Sequence, residues 1–324
     1  MKTKVILSIC ILMAMIGFAG CTACSNIDEY SSSQTSSDIA SSIGGTSSAD
    51  APSDVKPDSS DAVSSDLSGN NSTESAVSGE ESASPTAALP LTDVEKLDNT
   101  SVTWGPGTFF DDKNRPTACV SLQESYGKYS AYFLGEDTNK IYLTFDEGYE
   151  NGYTSQILNV LKEKNVQAVF FVTMPYAKSQ PDLIRRMIDE GHIVGNHSNK
   201  HPAMPTVSFE QAQSEYTILH EYIRENFDYT MFLFRPPQGL FSERILALGQ
   251  TLGYSNVLWS FAYNDWNPEN QPDPEKAFEK ITSRFHNGEI MLLHAVSKTN
   301  TEILGRVIDK AREEGFEFAS FEEK

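Results

Sequence analysis

From about residue 140 to the C-terminus, short apolar runs alternate with segments whose apolar residues recur at helical spacing. The apolar runs predict strands at 141–145, 168–172, 193–195, 232–234, 257–260, 290–293 and 316–319. The helical segments are 154–164, 181–190, 208–226, 242–252, 274–285 and 301–314, and Ser208 with Gln211 has capping-box spacing at the start of one of them. Strands alternating with helices of this length predict a parallel sheet. We therefore expect an α/β fold, a distorted (β/α) barrel of about seven parallel strands.

The first part of the chain has a different composition. Residues 25–89 are mainly Ser, Asp, Ala, Gly, Thr and Pro, with almost no aromatic or large aliphatic side chains. Such a segment cannot bury enough apolar surface to offset the entropy of ordering, so we expect a disordered tether. The predicted organisation is a signal peptide at 1–20, a linker at 21–95 and one globular domain at 96–324.

The N-terminus has the pattern of a targeting segment. Lys2 and Lys4 precede an apolar run at 5–18 that is short for a membrane span, and the run ends in Phe18-Ala19-Gly20-Cys21. This ending resembles a bacterial lipoprotein signal, although Phe18 stands where Leu is usual. The resemblance implies a lipid on Cys21 and a location at the outer face of the cytoplasmic membrane. Simple cleavage and free secretion is the alternative.

The net charge excludes some classes of binding partner, and the cysteine content allows at most one disulfide in the mature chain. The formal net charge of −20 argues against binding to nucleic acid and against a polybasic mode of membrane binding. Of the four cysteines, Cys24 and Cys119 would remain once Cys10 is removed and Cys21 is lipidated. A disulfide between them is possible outside the cell, but nothing in the spacing argues for it.

Reactive side chains follow the predicted strands, which is where barrels of this kind carry their chemistry. In chain order they are Asp146, Glu147, His197, His201, Arg235, Asp265, Trp266 and His294. The four-residue spacing of His197 and His201 lets two imidazoles point the same way, as a metal ion requires. Each residue alone also has a plain structural interpretation, such as an exposed turn carboxylate or a satisfied core histidine.

The order of these residues resembles the polysaccharide deacetylases, the proteins with a NodB homology domain. The matching segments are Thr144-Phe145-Asp146-Glu147-Gly148, His197-Ser198-Asn199-Lys200-His201, Arg235-Pro236-Pro237-Gln238-Gly239, Asp265-Trp266 and Leu292-Leu293-His294. The resemblance implies a NodB-like barrel, a divalent metal, and removal of N-acetyl groups from amino sugars.

A narrower likeness is to the delta-lactam-biosynthetic de-N-acetylases of spore-formers. It rests on residues 149–154, on residues 294–300 and on Ala262, where many family members carry an extra Asp. This likeness implies N-acetylmuramic acid as the residue that is deacetylated. The freed amine can then close a lactam ring with the lactyl carboxylate of the same sugar.

The resemblance and the chemistry together suggest a metal centre. His197 and His201 are the expected ligands, with Glu147 as the third; zinc is the first expectation, and Mn, Co and Mg remain open. Most family members have Asp where this chain has Glu147, and the lactam subgroup commonly has Asn. The longer Glu side chain could ligate with a small shift, or bind only through water.

The remaining roles concern protons and the substrate. Asp146 is the expected general base, with Arg235 keeping it ionised; His294 is the expected general acid, with Asp265 fixing its tautomer and raising its pKa. A backbone N–H near Gln238 is a candidate oxyanion donor. Trp266 and Leu292 are expected to shape the walls around the acetyl group, with core packing as the alternative for Trp266.

Three functions follow as hypotheses. The first is a monomeric peptidoglycan N-acetylmuramate deacetylase, tethered to the membrane and acting on glycan strands. The second is a deacetylase of N-acetylglucosamine or another surface polysaccharide. The third, prompted by Glu147, is a non-catalytic wall-binding lipoprotein.

Overall fold

A computed structural model describes residues 87–322 of the 324-residue chain. The proposed signal peptide, Cys21, Cys24 and residues 21–86 of the predicted linker lie outside the described residues, so the expectations about them stay predictions. Among residues 87–322, no helix has the length and apolar character needed to cross a membrane.

The described part of the chain forms strands and helices in alternation. The strands are β1 Val102–Thr103, β2 Ala131–Tyr132, β3 Lys140–Glu147, β4 Val169–Val172, β5 Ile193–Asn196, β6 Leu233–Phe234, β7 Leu240–Phe241, β8 Ser255–Val257, β9 Glu289–His294 and β10 Glu317–Phe318. The helices are α1 Leu91–Val94, α2 Thr117–Tyr126, α3 Thr154–Lys164, α4 Met174–Ser179, α5 Pro181–Asp189, α6 Phe209–Phe227, α7 Glu243–Thr251, α8 Pro274–Thr282 and α9 Lys298–Glu313.

Eight of the strands make one parallel sheet. Its order is β10-β3-β4-β5-β6-β8-β2, and β9 pairs with the other side of β3. The sheet curls into a half-barrel. The expected α/β fold with a barrel-like parallel sheet is confirmed.

Local sequence explains several elements. All four residues of β4 are buried, as expected for a parallel strand covered on both faces. α6 begins with the predicted capping box: the Ser208 side chain accepts from the Gln211 N–H, and the Gln211 side chain accepts from the Ser208 N–H. The rings of Phe145 on β3 and Phe170 on β4 stack with centroids 5.1 Å apart inside the core.

Some boundaries differ from the expected ones. β8 covers Ser255–Val257 rather than 257–260, and α8 ends at Thr282 rather than at 285. α9 begins at Lys298 because the Ser297 side chain accepts from the Asn300 N–H and caps the helix there. α1 lies within the predicted linker, yet Val94 is fully buried in the core, so the folded region begins before residue 96.

Candidate active site

Four of the predicted residues meet at the carboxyl ends of neighbouring strands. Asp146 on β3 is the register partner of His294 on β9. His197 directly follows β5 and Arg235 directly follows β6, and the Arg235 N–H donates to the Asn196 carbonyl. Because these strands run parallel in one sheet, residues far apart in sequence are brought to one edge of it.

Asp146 and Arg235 form a buried ion pair. Arg235 Nη1 lies 2.8 Å from Asp146 Oδ1, and the Arg235 side chain is fully buried. Two further guanidinium N–H groups donate to the carbonyls of Val257 and Leu258, at 3.0 and 3.1 Å. Burial is the largest single influence and would raise the pKa of Asp146. The charge and hydrogen bond of Arg235, together with the neighbouring His197 and His294, outweigh burial and hold this pKa below its usual value. The carboxylate is therefore ionised at neutral pH, and its second oxygen, Oδ2, is outside the ion pair.

The two histidines lie together beside this carboxylate. His197 Nδ1 is 2.9 Å from the Arg235 carbonyl, which accepts only if Nδ1 carries the proton, so His197 Nε2 has a free lone pair. That Nε2 lies 3.2 Å from His201 Nε2 and 3.5 Å from Asp146 Oδ2. Burial lowers the pKa of His197 to about 4, and burial also lowers the pKa of His201. Both imidazoles are therefore neutral at neutral pH, the form that ligates metal ions.

The loop after β5 holds His201 in this position. Ser198 and His201 have backbone φ angles of 72° and 57°, in the left-handed region that non-glycine residues seldom adopt. Hydrogen bonds keep the loop there: the Ser198 N–H donates to Asn196 Oδ1, and the His201 N–H donates to Ser198 Oγ, both at 2.8 Å. Asn196 and Ser198 thus position the second imidazole.

Neither carboxyl oxygen of Glu147 hydrogen-bonds to a histidine, and its expected role as the third metal ligand stays a prediction. Its side chain is fully buried and neither carboxyl oxygen has a hydrogen-bond partner; the neighbouring groups are Thr154, Glu150 and Tyr176. Consecutive side chains of a strand point to opposite faces, so when Asp146 faces the histidines, Glu147 faces away. Burial first, and then the charges of Glu150 and Asp146, raise the pKa of Glu147 well above its usual value.

The donor set fits a divalent ion in part. Two neutral imidazoles whose Nε2 atoms face each other are suitable nitrogen ligands for zinc or a similar ion. Asp146 is the nearest carboxylate, but its Oδ1 is held by Arg235. Within residues 87–322 no group of three or more His, Cys, Asp and Glu side chains is arranged to hold a metal ion. The histidines thus offer two candidate nitrogen ligands, and among residues 87–322 no third side chain of these types completes the set.

His294 and Asp265 form the second charged pair. His294 Nδ1 lies 2.7 Å from Asp265 Oδ1, and Asp265 is fully buried. Burial would lower the pKa of His294, but the Asp265 carboxylate outweighs it and raises this pKa above the usual value. The ring is thereby fixed with Nδ1 towards Asp265 and Nε2 free for another partner.

Asn300 belongs to this pair, and the sequence analysis assigned it no role. Its Nδ2 donates to Asp265 Oδ2 at 2.6 Å and to the His294 carbonyl at 3.2 Å, while its Oδ1 accepts from the Tyr263 hydroxyl. Asp265 Oδ2 also accepts from the His294 backbone N–H at 2.8 Å. In the sequence, Asn300 was noted only as part of the motif after His294. Its hydrogen bond to Asp265 depends on the first turn of α9, which the sequence did not place.

The three residues predicted to contact the substrate are Gln238, Leu292 and Trp266, and they differ in their exposure and contacts. Gln238 has a φ of 61° in a 3-10 turn at Pro237–Gly239, and its side-chain amide donates to the His201 carbonyl at 3.3 Å. Leu292 is buried, whereas Trp266 is 58% exposed, which excludes core packing as its main role. The oxyanion role of Gln238 and the wall roles of Leu292 and Trp266 stay predictions.

The chain is similar to known deacetylases. The family model "Polysaccharide deacetylase" matches residues 135–257. A peptidoglycan-N-acetylmuramic acid deacetylase, PdaA, of Bacillus subtilis is 41% identical over 233 residues, which cover 71% of this chain and 88% of that protein. An uncharacterized 30.6 kDa protein of Geobacillus stearothermophilus is 43% identical over 232 residues, covering 70% and 86%.

A solved structure gives the same relationship. The structure of Bacillus subtilis PdaA, described as a family 4 carbohydrate esterase, superposes with a TM-score of 0.66 at 40% identity. The superposition covers 69% of this chain and 96% of that one. Nearly the whole of the relative's fold is therefore present here.

Proposed function

Because this chain belongs to the polysaccharide deacetylase family, we propose that it hydrolyses the N-acetyl group of N-acetylmuramic acid residues in peptidoglycan. The observation that carries the proposal is that one site holds a carboxyl group with a lowered pKa and an imidazole with a raised pKa. Asp146 is ionised beside Arg235, and His294 has a raised pKa beside Asp265. One can accept a proton at a pH where the other can still give one.

The proton transfers follow from this pairing. In the proposal, Asp146 Oδ2 accepts the proton of the attacking water, while Oδ1 stays bonded to Arg235 and keeps the carboxylate oriented. An amine is a poor leaving group unless it is protonated, so His294 Nε2 donates a proton to the sugar nitrogen as the C–N bond breaks. Asp265 stabilises the imidazolium before this step, and acetate and the free amine are the products.

The family's deacetylases are generally metal-dependent. We propose that His197 and His201 hold a divalent ion, zinc first, which when bound would polarise the acetyl carbonyl and lower the pKa of water. The Arg235 carbonyl fixes His197 through Nδ1 and leaves Nε2 for the ion.

The assignment of the sugar residue that is deacetylated is based on similar proteins. The muramic acid assignment rests on the named activity of the Bacillus subtilis relative and on the likeness of residues 149–154 and 294–300 to lactam-forming enzymes. In the proposal, the amine freed at a peptide-free muramic acid then attacks the lactyl carboxylate, with loss of water. N-acetylglucosamine remains the alternative substrate residue.

One experiment tests reaction and substrate together. The full chain, supplied with zinc, is incubated with peptidoglycan glycan whose stem peptides have been removed, and the fragments are measured by mass spectrometry. We expect muramic residues to lose an acetyl group and then one water, and a chelator to stop the loss. Acetyl loss confined to glucosamine residues would refute the muramic assignment, and no acetyl loss at all would refute the deacetylase proposal.

We also propose that Cys21 is lipidated and holds the enzyme at the outer face of the membrane. The motive is the Ala19-Gly20-Cys21 ending of the apolar N-terminal run. Cys21→Ala should move the protein from the membrane fraction to the medium, as followed by immunoblotting, with Cys24→Ala as the control. Unchanged membrane association of Cys21→Ala would contradict the anchor.

A further inference from the structure

A cavity outside the site described above has two cations at its wall. Its volume is about 310 Å³, at the small end of the range for ligand pockets. The residues that line it are Pro106, Gly107, Thr108, Phe110, Ser260, Phe261, Ala262, Lys280, Arg284 and His286. Its walls come from three places: the segment after β1, the chain between β8 and α8, and the end of α8 with the turn that follows.

The two cations are held by aromatic rings and not by carboxylates. The Arg284 guanidinium lies 4.0 Å from the centroid of the Phe110 ring, and Lys280 Nζ lies 6.0 Å from that of Tyr263. Neither side chain forms an ion pair with any carboxylate of residues 87–322. In a chain with net charge −20, two cations without a carboxylate partner at one cavity are a specific feature.

The neighbouring titratable groups leave this positive charge uncompensated. His286 Nδ1 lies 2.7 Å from the Arg284 carbonyl and its Nε2 lies 2.8 Å from Ser260 Oγ; burial lowers its pKa to about 4, so it is neutral. Burial raises the pKa of Glu289, near His286, well above the usual range, which disfavours a compensating negative charge there. Asp111 is already paired with Arg115 at 2.8 Å.

The cavity is connected to the active site through the backbone. The Phe261 carbonyl accepts from the N–H of Leu292, two residues before His294. The cavity-lining stretch 260–262 then continues to Asp265 and to the exposed ring of Trp266. The cavity wall and the catalytic pair are therefore linked by one short stretch of chain, residues 260–265.

We propose that this cavity is a substrate subsite that binds the lactyl carboxylate of a second muramic acid residue of the same glycan strand. Lys280 and Arg284 pair with the carboxylate, and the apolar surface of Phe110 and Phe261 packs against the sugar ring. This inference rests on the proposed function, because it gives that reaction a preference for strands with several peptide-free muramic residues. It concerns binding and includes no chemical step.

The test compares substrates that differ only in this charge. Acetate release is measured on three glycans: peptide-free strands, the same strands with the lactyl carboxylates methyl-esterified, and a single disaccharide that ends in muramic acid. The variant is the double substitution Lys280→Gln with Arg284→Gln, and the control is Lys276→Gln, an exposed lysine of α8 that does not line the cavity. Thermal melting shows whether the double variant folds, and Arg284→Lys serves as the conservative variant.

We expect the double variant to raise KM for the acidic strands about tenfold with kcat unchanged, and Lys276→Gln to leave both as in the parent. On the disaccharide, which cannot reach both places, the double variant and the parent should be equal. Esterification should raise KM for the parent but not for the double variant. Equal KM values for parent and double variant on acidic strands would overturn the subsite.

A binding measurement separates this inference from the proposed function. N-acetylmuramic acid and its methyl ester are titrated into the full chain, and binding is followed by calorimetry. Binding of the acid that is weakened about tenfold in the double variant supports the subsite even if no acetate is released from any glycan. Equal binding of acid and ester overturns it, whatever the deacetylase assay shows. A muramoyl dipeptide that binds as tightly as the free acid would also overturn it, because its lactyl carboxylate is in an amide bond.

Discussion

Replacing Asp265 with Asn tests the part of the site that sets the charge of His294. Each oxygen of Asp265 accepts hydrogen bonds: Oδ1 from His294 Nδ1 at 2.7 Å, and Oδ2 from the His294 N–H and Asn300 Nδ2 at 2.8 and 2.6 Å. An Asn side chain keeps the shape but loses the negative charge. Its NH₂ group would also face another hydrogen-bond donor in either orientation of the amide: His294 Nδ1 on one side, or the His294 N–H and Asn300 Nδ2 on the other.

The size of the effect follows from the buried, charge-assisted bond. A hydrogen bond between charged groups contributes roughly 1.5–3 kcal/mol, and one pKa unit corresponds to about 1.4 kcal/mol. Losing this bond should therefore lower the pKa of His294, which Asp265 raises in the parent, by about one to two units. A general acid works only while it is protonated, so activity falls as the pH rises through this pKa. The alkaline limb of the pH–activity profile should therefore move to lower pH by the same one to two units.

The acid limb should stay where it is. It reflects Asp146, which must be deprotonated to act as a base, and its pKa is held low mainly by Arg235 against the effect of burial. The assay is kcat/KM for acetate release between about pH 4 and 9, with Asp273→Asn as the control. Asp273 is an exposed Asp that caps α8, a position where Asn serves equally well.

The outcome of that comparison is decisive for the proposed acid. An alkaline limb that does not move in Asp265→Asn, in a protein that melts as the control does, would show that His294 does not supply the proton. A loss of activity that is the same at every pH would show that Asp265 serves the fold and not the charge of His294.

Three further predictions concern the same site. Asp146→Asn should lower kcat for acetate release by about 10²- to 10⁴-fold while glycan binding persists, as measured by cosedimentation with wall; near-parent kcat would remove Asp146 as the base. Asn300→Ala should lower kcat about tenfold with little change in KM, because Asp265 loses a donor, and an unchanged kcat would make Asn300 dispensable. Glu147→Gln should leave zinc stoichiometry as in the parent while His201→Ala reduces it, both measured by metal analysis of purified protein; loss of zinc in Glu147→Gln would contradict the orientation of Glu147 in the structure.

The site could be anticipated from the sequence because parallel strands have their carboxyl ends at the same edge of the sheet. Once alternation of strands and helices predicted a parallel sheet, the residues after each strand had to lie along one edge. Asp146 and His294, 148 positions apart by their numbers, are register partners for this reason. The places of His197 and Arg235 directly after β5 and β6 put them at this edge, and the order of the motifs, which resembles that of the deacetylases, distinguished them from ordinary turn or core residues.

What could not be anticipated depends on long-range contacts. β8 is placed by its pairing with β2: the Asn256 N–H donates to the Ser130 carbonyl and the Leu258 N–H to the Tyr132 carbonyl. β2 itself is two residues long and has no periodicity to detect. α3 begins after Tyr153 without a side-chain cap, and the Thr154 hydroxyl donates to the Glu150 carboxylate.

Glu147 shows how one residue can match a motif and still take another place. Two ionised carboxylates next to each other in a buried site repel, and the pair avoids this if one of them is neutral. Arg235 stabilises the charge of Asp146, while burial, and then the charges of Glu150 and Asp146, raise the pKa of Glu147 well above its usual value. The ionised form is thereby favoured at Asp146 and disfavoured at Glu147. This division explains how an acidic residue one methylene longer than Asp can stand beside the base without weakening it. In the proposed function the two histidines alone would hold the metal ion, because the surroundings of Glu147 disfavour its ionised, ligating form.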